Sequence, residues 1–496
     1  MNKITDLPEI RKLRSGLSAE DREKIDRYFE QLEGKFSRSR KNVLLRHFYE
    51  AFEAFLDEEV PVDEILTRMD LCHLGNFYLE ESRDFYMLDN AAIIYPLGMK
   101  YGQMPMFRLS ATLKKDVRPE LLQLALDFTI KRFPTFSAVV RNGFFWCYLD
   151  SIHNVINVEE EKDIPCKPIS LFLRSANSLK VLYYKKRISI EFFHVITDGY
   201  GGMVFLKTLL REYFRLLGKD IPLTEGIPDI DGPADPAELV NEFGRRKGKG
   251  DLDTFLGKSS VQLKGKFSRI LPCRILHYEM NVTKLKEVAH AYGGTITAYL
   301  LACFFLSIKN CAEKDGIFNI QVPVNMRKFD HSKTLRNYSM YFSVSDQVSK
   351  KEEKRELVKE MVKQIEEGGR EEIMTDMMET TGKLISAVSY IPLALKIPVC
   401  QIAYGYLGNS IIGNTLSNLG LVKVPEEMEE EISHFDFLLS PSYPTKVTCS
   451  LVSFKDKARL TISKATLDPS FEDRLYEILE EDGIVIKAEG SIDYGS

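Results

Sequence analysis

The chain has 496 residues, 44% hydrophobic and 28% charged. These are the proportions of an ordinary globular protein with apolar material for large cores, and they exclude disordered, collagen-like and fibrous classes. With 67 basic and 72 acidic residues the net charge is −5, so no global basic character is available to hold nucleic acid or an anionic membrane.

Residues 1–75 read as a helical extension rich in charge. Ser18 and Asp21 form a capping-box-like start, with Ile25, Phe29 and Leu32 following on one face. A second helix carries Leu45, Phe48, Phe52, Phe55 and Leu56 at helical spacing. These faces dock on the main body or on a partner. Phe107, Leu109, Ala111 and Leu113 then alternate with polar residues, which predicts a strand with one buried face. Pro119 opens a helix. Residues 136–149 read as a hairpin turning on Asn142–Gly143, a pair suited to a type I′ turn. Strands over 179–184 and 188–193 precede a helix from about 203 to 217. Residues 221–267, rich in Pro, Gly and charge, read as a linker that includes the basic cluster Arg245, Arg246, Lys247 and Lys249.

Beyond the linker, Thr295 and Thr297 are expected N-caps of an apolar helix reaching 308. Strands follow at 317–324 and 340–344, then a long charged helix over 352–379, then a strand-rich stretch at 440–466. Between Leu384 and Gly408 the only charge is Lys396, and Pro392 and Pro398 interrupt the run. That predicts a buried helix–turn–helix rather than a membrane span, with peripheral membrane contact the disfavoured reading. No repeat of solenoid length is present. Strands and helices mix without strict alternation, which predicts an α/β (α+β) chain of two sandwich lobes, at 76–220 and 268–496, rather than one doubly wound sheet. The eight cysteines are scattered without a C-x-x-C pair. Reduced thiols are the expectation, and with no apolar secretory segment near residue 1, so is a cytoplasmic location.

The most informative segment is 188–217, ISIEFFHVITDGYGGMVFLKTLLREYFRLL. A β-prone apolar run ends at His194. Asp198 and Gly199 follow, then Gly201 and Gly202, then an amphipathic helix. The histidine is thus presented at a strand end on a tight turn, where glycines allow positive φ or close backbone approach. General-base catalysis needs a ring nitrogen held in that way, and imidazole titrates near neutral pH. In a chain with eight histidines, a His-x-x-x-Asp-Gly hexad arises by chance roughly 0.03 times. No nucleophile elbow, phosphate loop or metal-spaced cluster accompanies it. His434, two residues before Asp436, is a second base candidate, for which core or surface placement is expected.

The hexad at 194–199 resembles the His-x-x-x-Asp-Gly motif of the chloramphenicol acetyltransferase-like and condensation-domain acyltransferase superfamily. Phe193 stands where peptide condensation domains usually carry a first of two adjacent histidines, which points to the bacterial alcohol acetyltransferase branch. Pro323–Val324–Asn325–Met326–Arg327, Leu335–Arg336–Asn337 and Leu416–Ser417–Asn418–Leu419–Gly420 resemble further segments of that branch in order and spacing. The resemblance covers about residues 77–470. A counterpart of the plant enzymes' Asp-Phe-Gly-Trp-Gly segment is missing.

The resemblance implies two chloramphenicol acetyltransferase-like lobes in one chain, with His194 at mid-channel between them. It implies acyl transfer from acyl-CoA, acetyl-CoA in the first place, to a small or lipophilic alcohol or amine. His194 is then the general base. Asp198, Gly199 and Arg327 support the motif, with Asp198 paired to the arginine. Asn325, Asn337, Ser417 and Asn418 line the channel or donate to the thioester oxygen. Acyl-CoA is a co-substrate, with no bound cofactor, no metal and no nucleic acid. The alternatives are a carrier-protein thioester as donor, or a catalytically silent scaffold that binds partners through its N-terminal helices.

Overall fold

The computed structural model describes residues 8–80, 84–98, 104–151, 154–167, 177–243, 245, 248, 260–350, 353–411, 414–441 and 445–490. Its strands in chain order are β1 (Asp84–Met87), β2 (Met106–Leu113), β3 (Val139–Asn142), β4 (Cys147–Ser151), β5 (Val158–Glu160), β6 (Leu179–Tyr184), β7 (Arg187–Phe193) and β8 (Arg274–Asn281). They continue with β9 (Ile317–Asn325), β10 (Ser339–Gln347), β11 (Asn414–Leu421), β12 (Ile432–Leu439), β13 (Val447–Phe454), β14 (Lys457–Lys464) and β15 (Lys487–Gly490). One sheet runs β12-β2-β7-β6-β5, a second runs β10-β9-β11-β13-β14-β8-β15, and a small third runs β1-β4-β3. The chain is therefore a mixed α/β protein with two principal sheets, preceded by helices.

The N-terminal helices follow their caps and apolar faces. Ser18 accepts from the Asp21 amide and starts the helix Ala19–Glu33. Ile25, Phe29 and Leu32, with Phe48, Phe52 and Phe55 of Lys41–Asp57, are fully buried in one core with the first sheet. His47 Nδ1 lies 2.8 Å from Asp127 on the helix Pro119–Thr129, so this extension is docked on the body.

β2 departs from the one-sided strand expected of it, because both its faces are covered. Phe107 and Leu109 lie beneath Gly202 of the helix Gly199–Leu216. The opposite face is polar but paired: Arg108 bonds Glu191 at 2.6 Å and Glu161 at 2.6 Å, and Ser110 bonds Ser189 at 2.9 Å. Polar groups are buried without large loss only when partnered in this way, and alternation alone does not reveal such partners. β12 pairs antiparallel with β2, so a strand from the C-terminal half completes the N-terminal sheet. From there Thr448 Oγ1 donates to the Leu439 carbonyl at 3.0 Å and Arg459 Nε donates to Asp436 at 2.7 Å, tying the two sheets together.

Other expectations need correction. The β3–β4 loop is longer than a two-residue type I′ turn: Asn142 pairs with Cys147, and Gly143 lacks the positive φ that turn requires. The loop is held instead by the helix Leu393–Ile411, whose Leu393 amide donates to the Phe144 carbonyl at 2.8 Å. The long charged helix is two, Lys354–Gly368 and Glu371–Ala387; Gly368 sits against Phe342, with no room for a Cβ. Thr295 caps Ile296–Cys311, whereas Thr297 lies inside that helix. The 384–408 run is a helix–turn–helix, but its described part is buried on one side only: Leu393 and Lys396 face inward, whereas Leu395, Val399 and Ile402 are each more than 60% exposed. Among the described residues no single helix is long and apolar enough to cross a membrane. Of the basic cluster, Arg246, Lys247 and Lys249 lie outside the described residues.

Candidate active site

β7 delivers His194 one residue past its end, where the His194 amide donates to the Pro105 carbonyl at 2.9 Å. A tight turn follows, closed by Ile196 N–H to the Phe193 carbonyl at 3.1 Å. Asp198 then caps the helix Gly199–Leu216, its Oδ1 accepting from the Gly201 amide at 3.1 Å. The glycines serve close approach and not left-handed backbone, since none of Gly199, Gly201 and Gly202 has positive φ. A Cβ on Gly201 would stand 2.2 Å from Thr197 Oγ1 and 2.3 Å from the Leu335 carbonyl oxygen. One on Gly199 would stand 2.7 Å from Leu419, so the 416–420 segment reaches the turn through Leu419.

The structure brings Asp198 and Arg327 together. Asp198 Oδ2 accepts from Arg327 Nη1 at 2.7 Å and from the Tyr338 amide at 2.8 Å. Both side chains are about 5% exposed. Arg327 also donates to the Thr334 carbonyl at 2.8 Å, the Arg336 carbonyl at 2.7 Å and Asn325 Oδ1 at 3.0 Å. Its guanidinium lies 4.6 Å from the Tyr200 ring centroid, a cation–π distance. A buried ion pair is tolerable when its remaining donors and acceptors are satisfied, as they are here. The pair locks the His194 turn of one half to the 325–338 segment of the other.

Asn337 comes to the histidine itself. Its Nδ2 lies 3.0 Å from the His194 carbonyl oxygen and 3.1 Å from His194 Nδ1. The amide donates to the carbonyl in either tautomer, and to Nδ1 only when that nitrogen is unprotonated. The half-buried His194 ring packs against Tyr95 at 5.2 Å and Phe107 at 5.1 Å. Burial pushes its pKa below the ordinary value of 6.5, against an opposing pull from Asp198 and the backbone carbonyls of His194 and Thr197. The imidazole is therefore neutral at neutral pH.

The remaining sequence candidates lie further out. Asn325 is exposed and serves Arg327, accepting from its backbone amide at 3.1 Å. Asn418 Nδ2 donates to Thr297 at 3.1 Å and its Oδ1 caps the Gly420 amide at 2.8 Å. Ser417 is buried in β11 opposite Ser450. None of these three contacts His194 through a hydrogen bond among the described residues. His434 lies 3.5 Å from Asp436, which is held mainly by Arg459 and also faces His277 at 3.4 Å. That group ties strands together and is separate from the His194 site.

Sequence reasoning missed Asp89, Tyr95 and Tyr338. Asp89 is buried, pairs with Arg336 at 3.0 Å and accepts from the Asn337 amide at 3.2 Å. Its pKa is raised to about 7, chiefly by burial, against the pull of Arg336. It directly precedes the helix Asn90–Gly98, which carries Tyr95, so one carboxylate joins that helix to the segment holding the histidine. No local pattern marks Tyr95; the Leu-Asp-Asn that opens its helix was the available signal. Among the described residues no His/Cys/Asp/Glu group is arranged to hold a metal ion.

No family model and no curated protein sequence matches the chain. Solved structures do. The starter condensation domain of rhizomide synthetase, a variant in complex with C8-CoA, superposes with TM-score 0.55 at 11% identity over 80% of this chain and 94% of that one. The first condensation domain of the calcium-dependent antibiotic synthetase gives 0.54 at 13% identity, over 81% and 95%. The trichothecene 15-O-acetyltransferase of Fusarium sporotrichioides gives 0.50 at 12% identity, over 81% and 96%. The chain thus has the two-lobed fold shared by condensation domains and chloramphenicol acetyltransferase-like proteins.

Proposed function

We propose that the chain is an acyltransferase of the alcohol acetyltransferase kind, moving an acyl group from acyl-CoA to an alcohol or a related small acceptor. The observation that carries this reading is the half-buried His194 ring at a strand end, its turn held by the Asn337 amide on the His194 carbonyl and by the Asp198–Arg327 lock. In the working tautomer the proton sits on Nδ1 and the Nε2 lone pair is free, and the Asn337 amide then bonds only the His194 carbonyl. Nε2 takes the proton of the acceptor hydroxyl as its oxygen attacks the thioester carbonyl carbon. The carbonyl π pair moves to oxygen. It returns as the carbon–sulfur bond breaks, and the departing thiolate takes the proton back from the imidazolium. Acyl-CoA enters as co-substrate, and no covalent enzyme intermediate is needed.

Purified protein mixed with acetyl-CoA and a panel of alcohols and amines should release free thiol in an acceptor-dependent way. Thiol release from an acyl-carrier protein but not from acyl-CoA would transfer the reading to the condensation type. No release from either donor would leave a silent scaffold.

A further inference from the structure

Residues 384–402 invert the usual order of a surface helix. Leu395, Val399 and Ile402, spaced as one helical stripe, are 64%, 65% and 61% exposed. The only charge in that stretch, Lys396, is turned inward: its ammonium donates to the Phe145 carbonyl at 2.9 Å and sits 3.0 Å from the Trp146 ring centroid. A water-facing helix does the reverse, projecting lysine and burying aliphatics. Tyr390 in the preceding turn is 89% exposed and Phe144 on the β3–β4 loop 72%. Phe85 on the neighbouring strand β1 is 62% exposed as well and packs on Tyr148 at 5.6 Å. With roughly 200 Å² per aromatic side chain, Phe85, Phe144 and Tyr390 alone expose roughly 450 Å², and the aliphatic stripe adds more. Apolar exposure of that extent reaches the size at which the largest patch on a monomer is often functional.

The face adjoins the site. The helix Leu393–Ile411 packs on Asn90–Gly98, and Tyr95 of that helix lies 5.2 Å from the His194 ring. The helix Asn90–Gly98 thus contacts both the helix that carries the apolar stripe and the His194 ring. From Leu384 to Ile402 no charge faces solvent, so a protein partner finds no ion pair there. A hydrocarbon boundary needs none, and aromatic side chains such as Tyr390, Phe144 and Trp146 favour the water–lipid interface. We propose that this face seats the protein on a lipid bilayer, and that the acceptor presented to His194 is a lipophilic alcohol or amine drawn from that bilayer. The acceptor half of this rests on the acyl-transfer reading; the docking half does not.

The test is flotation of the full chain with neutral phosphatidylcholine vesicles at low and high salt. The expected result is binding that salt does not weaken, because screening acts on charges and not on apolar burial. The double variant Leu395→Glu, Val399→Glu should bind roughly tenfold or more weakly, with an unchanged unfolding midpoint since both positions are exposed. It should release thiol normally with a short water-soluble alcohol and poorly with a long-chain alcohol in vesicles. No vesicle binding, or binding abolished by salt, overturns the proposal. A concentration-dependent dimer that the double variant dissolves, without vesicle binding, overturns it in favour of a second copy of the chain. Vesicle binding without acyl transfer to any acceptor upholds docking and removes the acyl-transfer reading.

Discussion

Replacing Asp198 by Asn removes the charge from the lock and one of its two acceptor oxygens. Asparagine keeps the volume and one oxygen; with that oxygen capping the Gly201 amide, its Nδ2 faces Arg327 and the Tyr338 amide, which are both donors. What remains is Arg327, buried with carbonyl and amide oxygens as its acceptors and no carboxylate. Stranding one member of a buried pair costs about 3–5 kcal/mol, and with three of its contacts intact the lower end, about 3 kcal/mol, is expected. Both variants leave the Tyr338 amide without its acceptor, ~1 kcal/mol or more, and Asp198→Ala loses the cap as well, a further ~1 kcal/mol. The alanine variant should therefore fall nearer 5 kcal/mol. Urea unfolding measures both: at a slope of roughly 1–3 kcal/mol per molar, the asparagine variant should shift the midpoint by about 1 M or more at constant slope. A loss below about 0.5 kcal/mol, the level of an ordinary surface change, would refute the claim that this pair holds the two halves in register.

Gly201→Ala places a Cβ against the Leu335 backbone; it should lower the rate roughly a hundredfold through displacement of the adjoining Arg336–Asn337 segment, and a wild-type rate would show that the segment can move freely. Asn337→Ala should cost a tenfold to roughly hundredfold loss in kcat, with KM for acyl-CoA nearly constant, because it releases the His194 carbonyl and with it the turn that aims the ring, without touching the donor. Burial lowers the His194 pKa, so the pH–rate profile should stay flat from alkaline pH down to the ordinary imidazole range. It should fall only below 6.5, and a midpoint above 7 would contradict a buried neutral base. Asp89 titrates at about 7 in the fold against 3.8 as the reference. A carboxyl whose folded pKa is raised contributes stability that is complete below its unfolded pKa and lost as pH rises through the folded one. Asp89→Asn, always neutral, should therefore gain on wild type between pH 5 and pH 8 in urea midpoint. A pH-independent difference would exclude a raised Asp89.

The His194 turn was legible because its determinants are local. A strand end, a capping aspartate and close-packed glycines lie within nine residues, and each leaves a residue type on the page. Arg327 and Asn337 were reachable only through resemblance, since 129 and 143 residues separate them from their partners. The second covered face of β2 was hidden because Arg108 and Ser110 look like solvent residues until Glu191 and Ser189 are placed beside them. β12 was overlooked for a related reason: Asp436 and His434 interrupt its apolar run, and both face partners from the second sheet. The exposure of 393–402 ran against composition. Apolar sequence predicts burial, and only the placement of Lys396 beneath the helix reveals that this face looks outward.

The most direct test compares acceptor-dependent thiol release from acetyl-CoA by wild type and by His194→Gln. The unfolding midpoints of the two proteins serve as the control for an intact Asp198–Arg327 pair. The account predicts equal midpoints and a rate lower by roughly 10²–10⁴-fold in the variant. Equal rates in the two proteins, at equal stability, would contradict His194 as the base.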